Sequence, residues 1–106
     1  MTDNSKWKFK ARLYLLPTDR GGRKTAFKAG GSLYRPQFYL ESPDFSTSCF
    51  IDRIDGKSEM APGESGIVEM RLLKPELFAG QIEPGTKFKI REVADPIGWG
   101  IIMEVR

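Results

Sequence analysis

The sequence predicts an all-β fold of antiparallel strands, a barrel or a sandwich, and three observations carry the prediction. About six short segments alternate apolar and polar residues with period two. Prolines and glycines punctuate them, and no long stretch repeats its apolar residues with the 3.6-residue period of a helix. At 106 residues the chain can build one hydrophobic core and not two. Residues 1–5 are read as a disordered lead-in and residues 6–106 as a single domain.

Along residues 6–16, Trp7, Phe9, Ala11, Leu13 and Leu15 share one parity, and Lys6, Lys8, Lys10, Arg12 and Tyr14 the other. That pattern predicts a strand with one buried face. Pro17 and the turn formers after it end the strand. A basic, glycine-rich loop follows, and Phe27 within it is read as a pin to the core. Residues 34–41 read as a second strand, with Pro36 at its start, on an edge or at a bulge because proline lacks a ladder donor. After the turn at Ser42-Pro43-Asp44, residues 48–54 form a short strand expected to bury Cys49, Phe50, Ile51 and Ile54 while Asp52 and Asp55 face water. Gly56-Lys57-Ser58 closes it, and Met60-Ala61-Pro62-Gly63 is a turn. Residues 67–73 set Val68, Met70 and Leu72 opposite Glu69 and Arg71. Past Lys74-Pro75, the residues Leu77, Phe78 and Ile82 are apolar enough to cross one barrel mouth or to form a helical turn. Residues 87–92 alternate Phe88 and Ile90 with Lys87, Lys89 and Arg91. The closing strand, residues 98–105, places Trp99, Ile101, Met103 and Val105 on one parity.

The net charge of +3 conceals an asymmetry: residues 1–36 sum to +7 and residues 37–106 to −4. A basic first third is compatible with electrostatic steering toward nucleic acid or an acidic protein face, and equally with lysines that keep an edge strand from aggregating. No apolar run approaches a bilayer span and the first residues carry no apolar signal segment, so a cytoplasmic protein with no membrane partner is expected.

Catalytic constellations fail for want of parts. The chain has no histidine and one cysteine, Cys49, so neither Ser/His nor Cys/His couples nor the usual zinc ligand sets can be assembled. Cys49 in an apolar strand reads as an inert buried thiol. Gly56-Lys57-Ser58 matches the end of a phosphate-binding loop, but Ile51 stands where that motif needs glycine. Asp52, Asp55 and Glu59 read as solvated charges on a turn. No enzyme, metal or cofactor is expected. Arg20, Arg23, Lys24, Lys28 and Arg35 fit phosphate contacts that read RNA shape, and the aromatic motifs of base-reading sheets are absent. Arg35 fits a carboxylate partner in the barrel equally well.

The motifs in order resemble one family. Gly21-Gly22-Arg23-Lys24-Thr25 is similar to Gly-Gly-Arg-His-Thr, residues 34–39 read Tyr-Arg-Pro-Gln-Phe-Tyr, and Met60-Ala61-Pro62-Gly63 is similar to Met-Val-Met-Pro-Gly. Lys74-Pro75, Phe88-Lys89-Ile90-Arg91-Glu92 and Gly98-Trp99-Gly100-Ile101-Ile102 are similar to Lys/His-Pro, Phe-Ala-Ile-Arg-Glu and Val-Gly-Ala-Gly-Val-Val. Together they resemble the C-terminal domain of translation elongation factor Tu over most of residues 7–106. The resemblance implies a six-stranded antiparallel β-barrel that lacks a GTP site and binds the T-stem backbone of aminoacyl-tRNA. It implies RNA contacts by Arg23, Lys24, Thr25, Gln37, Lys74 and Glu92. It also implies surface that the family buries against neighbouring domains, open here to a protein partner or to self-association. Two departures stand out: two or three extra residues between Phe27 and Tyr34, and Val93-Ala94 where the family's Arg-Glu-Gly-Gly turn has its glycines. The family's GTPase domain and second barrel are absent from these 106 residues, and Met1 with its polar lead-in reads as the start of a stand-alone domain.

Overall fold

The computed structural model describes residues 8–30 and 35–105. The lead-in, Trp7, residues 31–34 in the lengthened stretch between Phe27 and Tyr34, and Arg106 lie outside them. Eight strands form among the described residues: β1 Lys8–Leu15, β2 Phe27–Lys28, β3 Gln37–Tyr39, β4 Ser46–Ile54, β5 Glu59–Met60, β6 Ser65–Leu72, β7 Lys87–Glu92 and β8 Asp95–Val105. Six of them close into a barrel in the order β1-β6-β4-β3-β7-β8, with β8 returning to β1, and every pairing is antiparallel. β2 and β5 pair as a separate ribbon. Closure leaves no edge among the six, which removes the need for lysines as edge protection along β1.

The alternation in β1 is realised, with Phe9, Ala11, Leu13 and Leu15 inside. Val68, Met70 and Leu72 of β6 and Phe88 and Ile90 of β7 meet them there. Phe38 of β3 sits among rings, with centroids 6.0 Å from Phe9, 5.3 Å from Phe78 and 5.0 Å from Phe88. The segment after Lys74 does both things its composition allowed: Pro75–Phe78 is a 3-10 turn, and it lowers Phe78 into one mouth of the barrel. At the other mouth Phe27 is buried through the ribbon, paired with buried Met60, so Phe27 pins the basic loop as expected.

Three expectations change. The second strand is only three residues long, because Pro36 precedes it and gives no ladder donor, although the Pro36 carbonyl accepts from the Cys49 N–H at 2.9 Å. In β4 the register shifts between Ile51 and Arg53, and this bulge returns Ile54 to the core after Asp52. Phe50 turns outward beneath the Arg71 guanidinium, 4.6 Å from its ring centre, and Asp52 does not simply face water but takes two hydrogen bonds from Arg71 at 2.6 and 2.9 Å. In β8 the buried parity is the opposite of the apolar one: Gly98, Gly100 and Ile102 face inward while Trp99 and Met103 are exposed. The cause is room. A Cβ on Gly100 would lie 2.5 Å from Phe88 Cζ and 2.7 Å from the Arg12 carbonyl oxygen, so the strand can turn only its glycine side to the core.

Two outcomes test this packing. Gly100→Ala should lower stability by about 1–3 kcal/mol through overpacking, while Met103→Ala on the outer face of the same strand stays within about 0.5 kcal/mol, both read by urea denaturation. Cys49 is fully buried and burial pushes its thiol well above the ordinary range, which leaves no thiolate at pH 8. A thiol reagent at that pH should label the protein only after denaturant is added.

Candidate functional site

The basic loop is shaped by backbone before any side chain acts. Pro17 ends β1, and its carbonyl accepts from the N–H groups of Arg20 and Gly22 at 2.9 and 3.0 Å. A Cβ on Gly22 would lie 2.1 Å from the Leu16 carbonyl oxygen, so only glycine permits this tight return. The Thr18 hydroxyl then donates to the Arg23 carbonyl at 2.6 Å and fixes the exit. Arg23 is delivered to the end of β7, where its guanidinium pairs with the Glu92 carboxylate and donates through Nε to the Thr25 carbonyl at 3.0 Å. Its side chain is only 17% exposed.

A second polar feature begins beside Glu92. Arg91 lies across from Gln37 on β3, and Gln37 across from Ser48 on β4. The Gln37 amide donates to the Ser48 hydroxyl at 2.9 Å and accepts from the Ser46 hydroxyl at 3.1 Å. Arg91 Nη2 donates to the Pro43 carbonyl at 3.0 Å and to Ser46 at 3.2 Å, and its Nε is buried with no partner among the described residues. Beyond Ser48 the chain leaving β6 takes over. The Leu73 N–H donates to the Ser48 carbonyl and the Lys74 N–H to the buried Thr47 hydroxyl, at 2.9 and 3.0 Å. Barrel strands are staggered. The row therefore descends from the last turn of β7, past the first residue of β3 and the third of β4, to the far end of β6.

Of the six residues singled out in the sequence, Arg23, Thr25 and Glu92 meet directly. Lys24 is exposed beside them, Gln37 is the centre of the row, and Lys74 is exposed at its far end. They form a stripe rather than a pocket. Neither Lys24, Lys74 nor Arg35 joins an ion pair among the described residues, so the barrel carboxylate offered as an alternative partner for Arg35 is not found there. Sequence reasoning missed Ser46, Ser48 and Arg91, which surround Gln37, and Thr47, which anchors Lys74. The alternation of Ser46 and Ser48 with Thr47 and Cys49 was the available signal, but a strand begun at Ser48 cut it off.

The described residues contain no group of three or more side chains suited to hold a metal, and no helix long and apolar enough to cross a membrane. A closed six-stranded antiparallel barrel with a polar stripe across its outer wall defines a small all-β barrel module. The family model of the elongation factor Tu C-terminal domain matches residues 3–106, and the chain belongs to that family. In this family the domain is a non-catalytic β-barrel.

The turn that presents Glu92 carries strain. Val93 has φ 54°, a left-handed conformation that β-branched residues avoid, and it is 90% exposed, so no packing compensates. Val93→Gly should raise stability by about 1 kcal/mol, because relief of the strain exceeds glycine's entropic cost. Urea midpoints measured side by side decide it.

Proposed function

We propose that this chain is a cytoplasmic, non-enzymatic binding module that holds the backbone of a structured RNA, the acceptor and T-arm of a tRNA being the ligand its family points to. The observation that carries the reading is the stripe itself. Hydroxyls of Ser46 and Ser48 and the amide of Gln37 donate and accept as a ribose 2′-hydroxyl requires, and exposed Lys24 and Lys74 stand at its two ends to meet phosphates. Arg23 plays a different part from the one its charge first implies. Paired with Glu92 and tied to Thr25, it is an oriented donor rather than a free cation, and Glu92 sets its direction.

Lys24→Glu combined with Lys74→Glu reverses both ends of the stripe without touching the core. At low salt this variant should bind tRNA or duplex RNA about tenfold or more weakly, and its dependence on salt should flatten by about two released counterions. Unchanged affinity for both RNAs, or no binding by the parent protein at low salt, removes the proposal.

A second reading has one observation of its own. Phe45 is 66% exposed, and with exposed Leu77 it borders a groove of about 330 Å³ at the plugged mouth, lined also by Leu40 and Phe78. This is the apolar surface a protein-docking module, or a self-associating one, would use. On that reading Phe45→Ser with Leu77→Ser abolishes the association and the lysine reversals leave it intact.

A further inference from the structure

The barrel wall made by β7, β8 and β1 has a composition that the stripe does not explain. Two transverse rows cross it. One runs Tyr39, Lys89, Trp99, Tyr14 and Ser65; the next runs Lys87, Ile101, Arg12 and Ile67. These rows hold three cations and no carboxylate. Acids bound the face on two sides: Glu41 and Glu83 line the adjoining concavity, which Lys87 also borders, and the row beyond Arg12 sets Glu69 and Glu104 beside Lys10.

Trp99 is the centre of this wall. Outward-facing because Gly98 and Gly100 must face in, it stays 39% exposed. Tyr14 on β1 stacks against one side of the indole, with ring centroids 4.4 Å apart and planes 13° from parallel. The other neighbour, β7, borders a cleft of about 140 Å³ lined by Trp99, Leu40, Phe88, Lys87 and Lys89. Tyrosine thus braces the indole from one side and leaves a slot on the other. The slot is well below the roughly 300 Å³ at which drug-sized sites begin, so it takes one planar group at a time. An aromatic wall, an aliphatic wall and two bordering lysines complement a flat ring carrying a nearby negative charge.

We propose that this slot stacks an unpaired base of single-stranded RNA against Trp99, with Lys87 and Lys89 meeting its phosphates. The inference rests on the RNA reading for its class of ligand and adds a second contact surface of different specificity. Lys89 is two residues from Arg91 on β7, so the stacking face adjoins the stripe, and one RNA with a duplex beside an unpaired segment can reach both.

The test uses the full chain with Trp7→Phe, which leaves Trp99 as the sole tryptophan of the two in the sequence. Short oligouridine added at low salt should quench its fluorescence, and salt should reverse the quenching. Trp99→Ala should weaken oligouridine binding, read by anisotropy of a labelled strand, about tenfold or more, and Trp99→Phe should recover most of it. Lys87→Glu with Lys89→Glu, on exposed positions, should weaken it to a similar degree whatever the aromatic change does to folding. Affinity for a blunt RNA duplex should be unaffected by Trp99→Ala. Absence of quenching at low salt, or full single-strand affinity in Trp99→Ala, overturns the proposal. So does a fluorescence change that follows protein concentration instead of RNA, which would assign the face to a second copy of the chain. If single strands bind through Trp99 while duplex is ignored, the stripe reading falls and this one stands.

Discussion

The barrel closes through its shortest strand. β3 contributes three residues, yet among the described residues it is the only strand that bridges β4 on one side and β7 on the other. Three residues supply few ladder bonds, so closure leans on Phe38, fully buried at the middle of the strand and surrounded by Phe9, Phe78 and Phe88 at 5.0 to 6.0 Å. Aromatic rings bury large areas in defined edge and stacked geometries. The same strand turns Gln37 to the outer wall one residue before Phe38. What fixes the core therefore also fixes the centre of the polar stripe, and a change at Phe38 would be felt at Gln37.

Charge on the surface is sorted by pairing. Arg53 is shared by Glu69 and Asp55, Arg71 is held by Asp52, and Arg23 by Glu92. Ion pairs at or near the surface add little to stability, so their main effect is positional. They take Arg23, Arg53 and Arg71 out of the pool of unpaired cations, as Glu64 does Lys57, and leave Arg12, Arg35 and the remaining lysines to carry the field among the described residues. Lys24 and Lys74 stand at the ends of the stripe, and Lys87 and Lys89 stand beside Trp99. On the proposed RNA reading, long-range attraction and short-range recognition thus belong to different residues.

Strain and room set the remaining details. The glycines of β8 are required by Phe88 and by the β1 backbone, and they force Trp99 outward. The neighbouring turn has no glycine where its backbone calls for one, and Val93 bears the left-handed conformation next to Glu92. The strained residue costs stability while it stands next to the carboxylate that orients Arg23.

Much of this was legible in the linear sequence. Period-two alternation fixed the inner faces of β1, β6 and β7, because a half-buried strand admits no other pattern. The loop glycines, Pro36 and the order of the family motifs fixed the turns and the barrel. Arg23 and Thr25 in the loop and Glu92, far from both in the chain, were named together only through the family resemblance. Their direct contact, and the replacement of a free Arg23 cation by a paired one, came from the tertiary structure. The inverted parity of β8 likewise depended on the space Phe88 leaves, which no local pattern records. Register did the rest: Ser48 and Arg91 flank Gln37, and Lys89 and Tyr14 flank Trp99, because closed pairing of staggered strands brings distant residues onto one row. A sequence read one strand at a time has no access to that stagger.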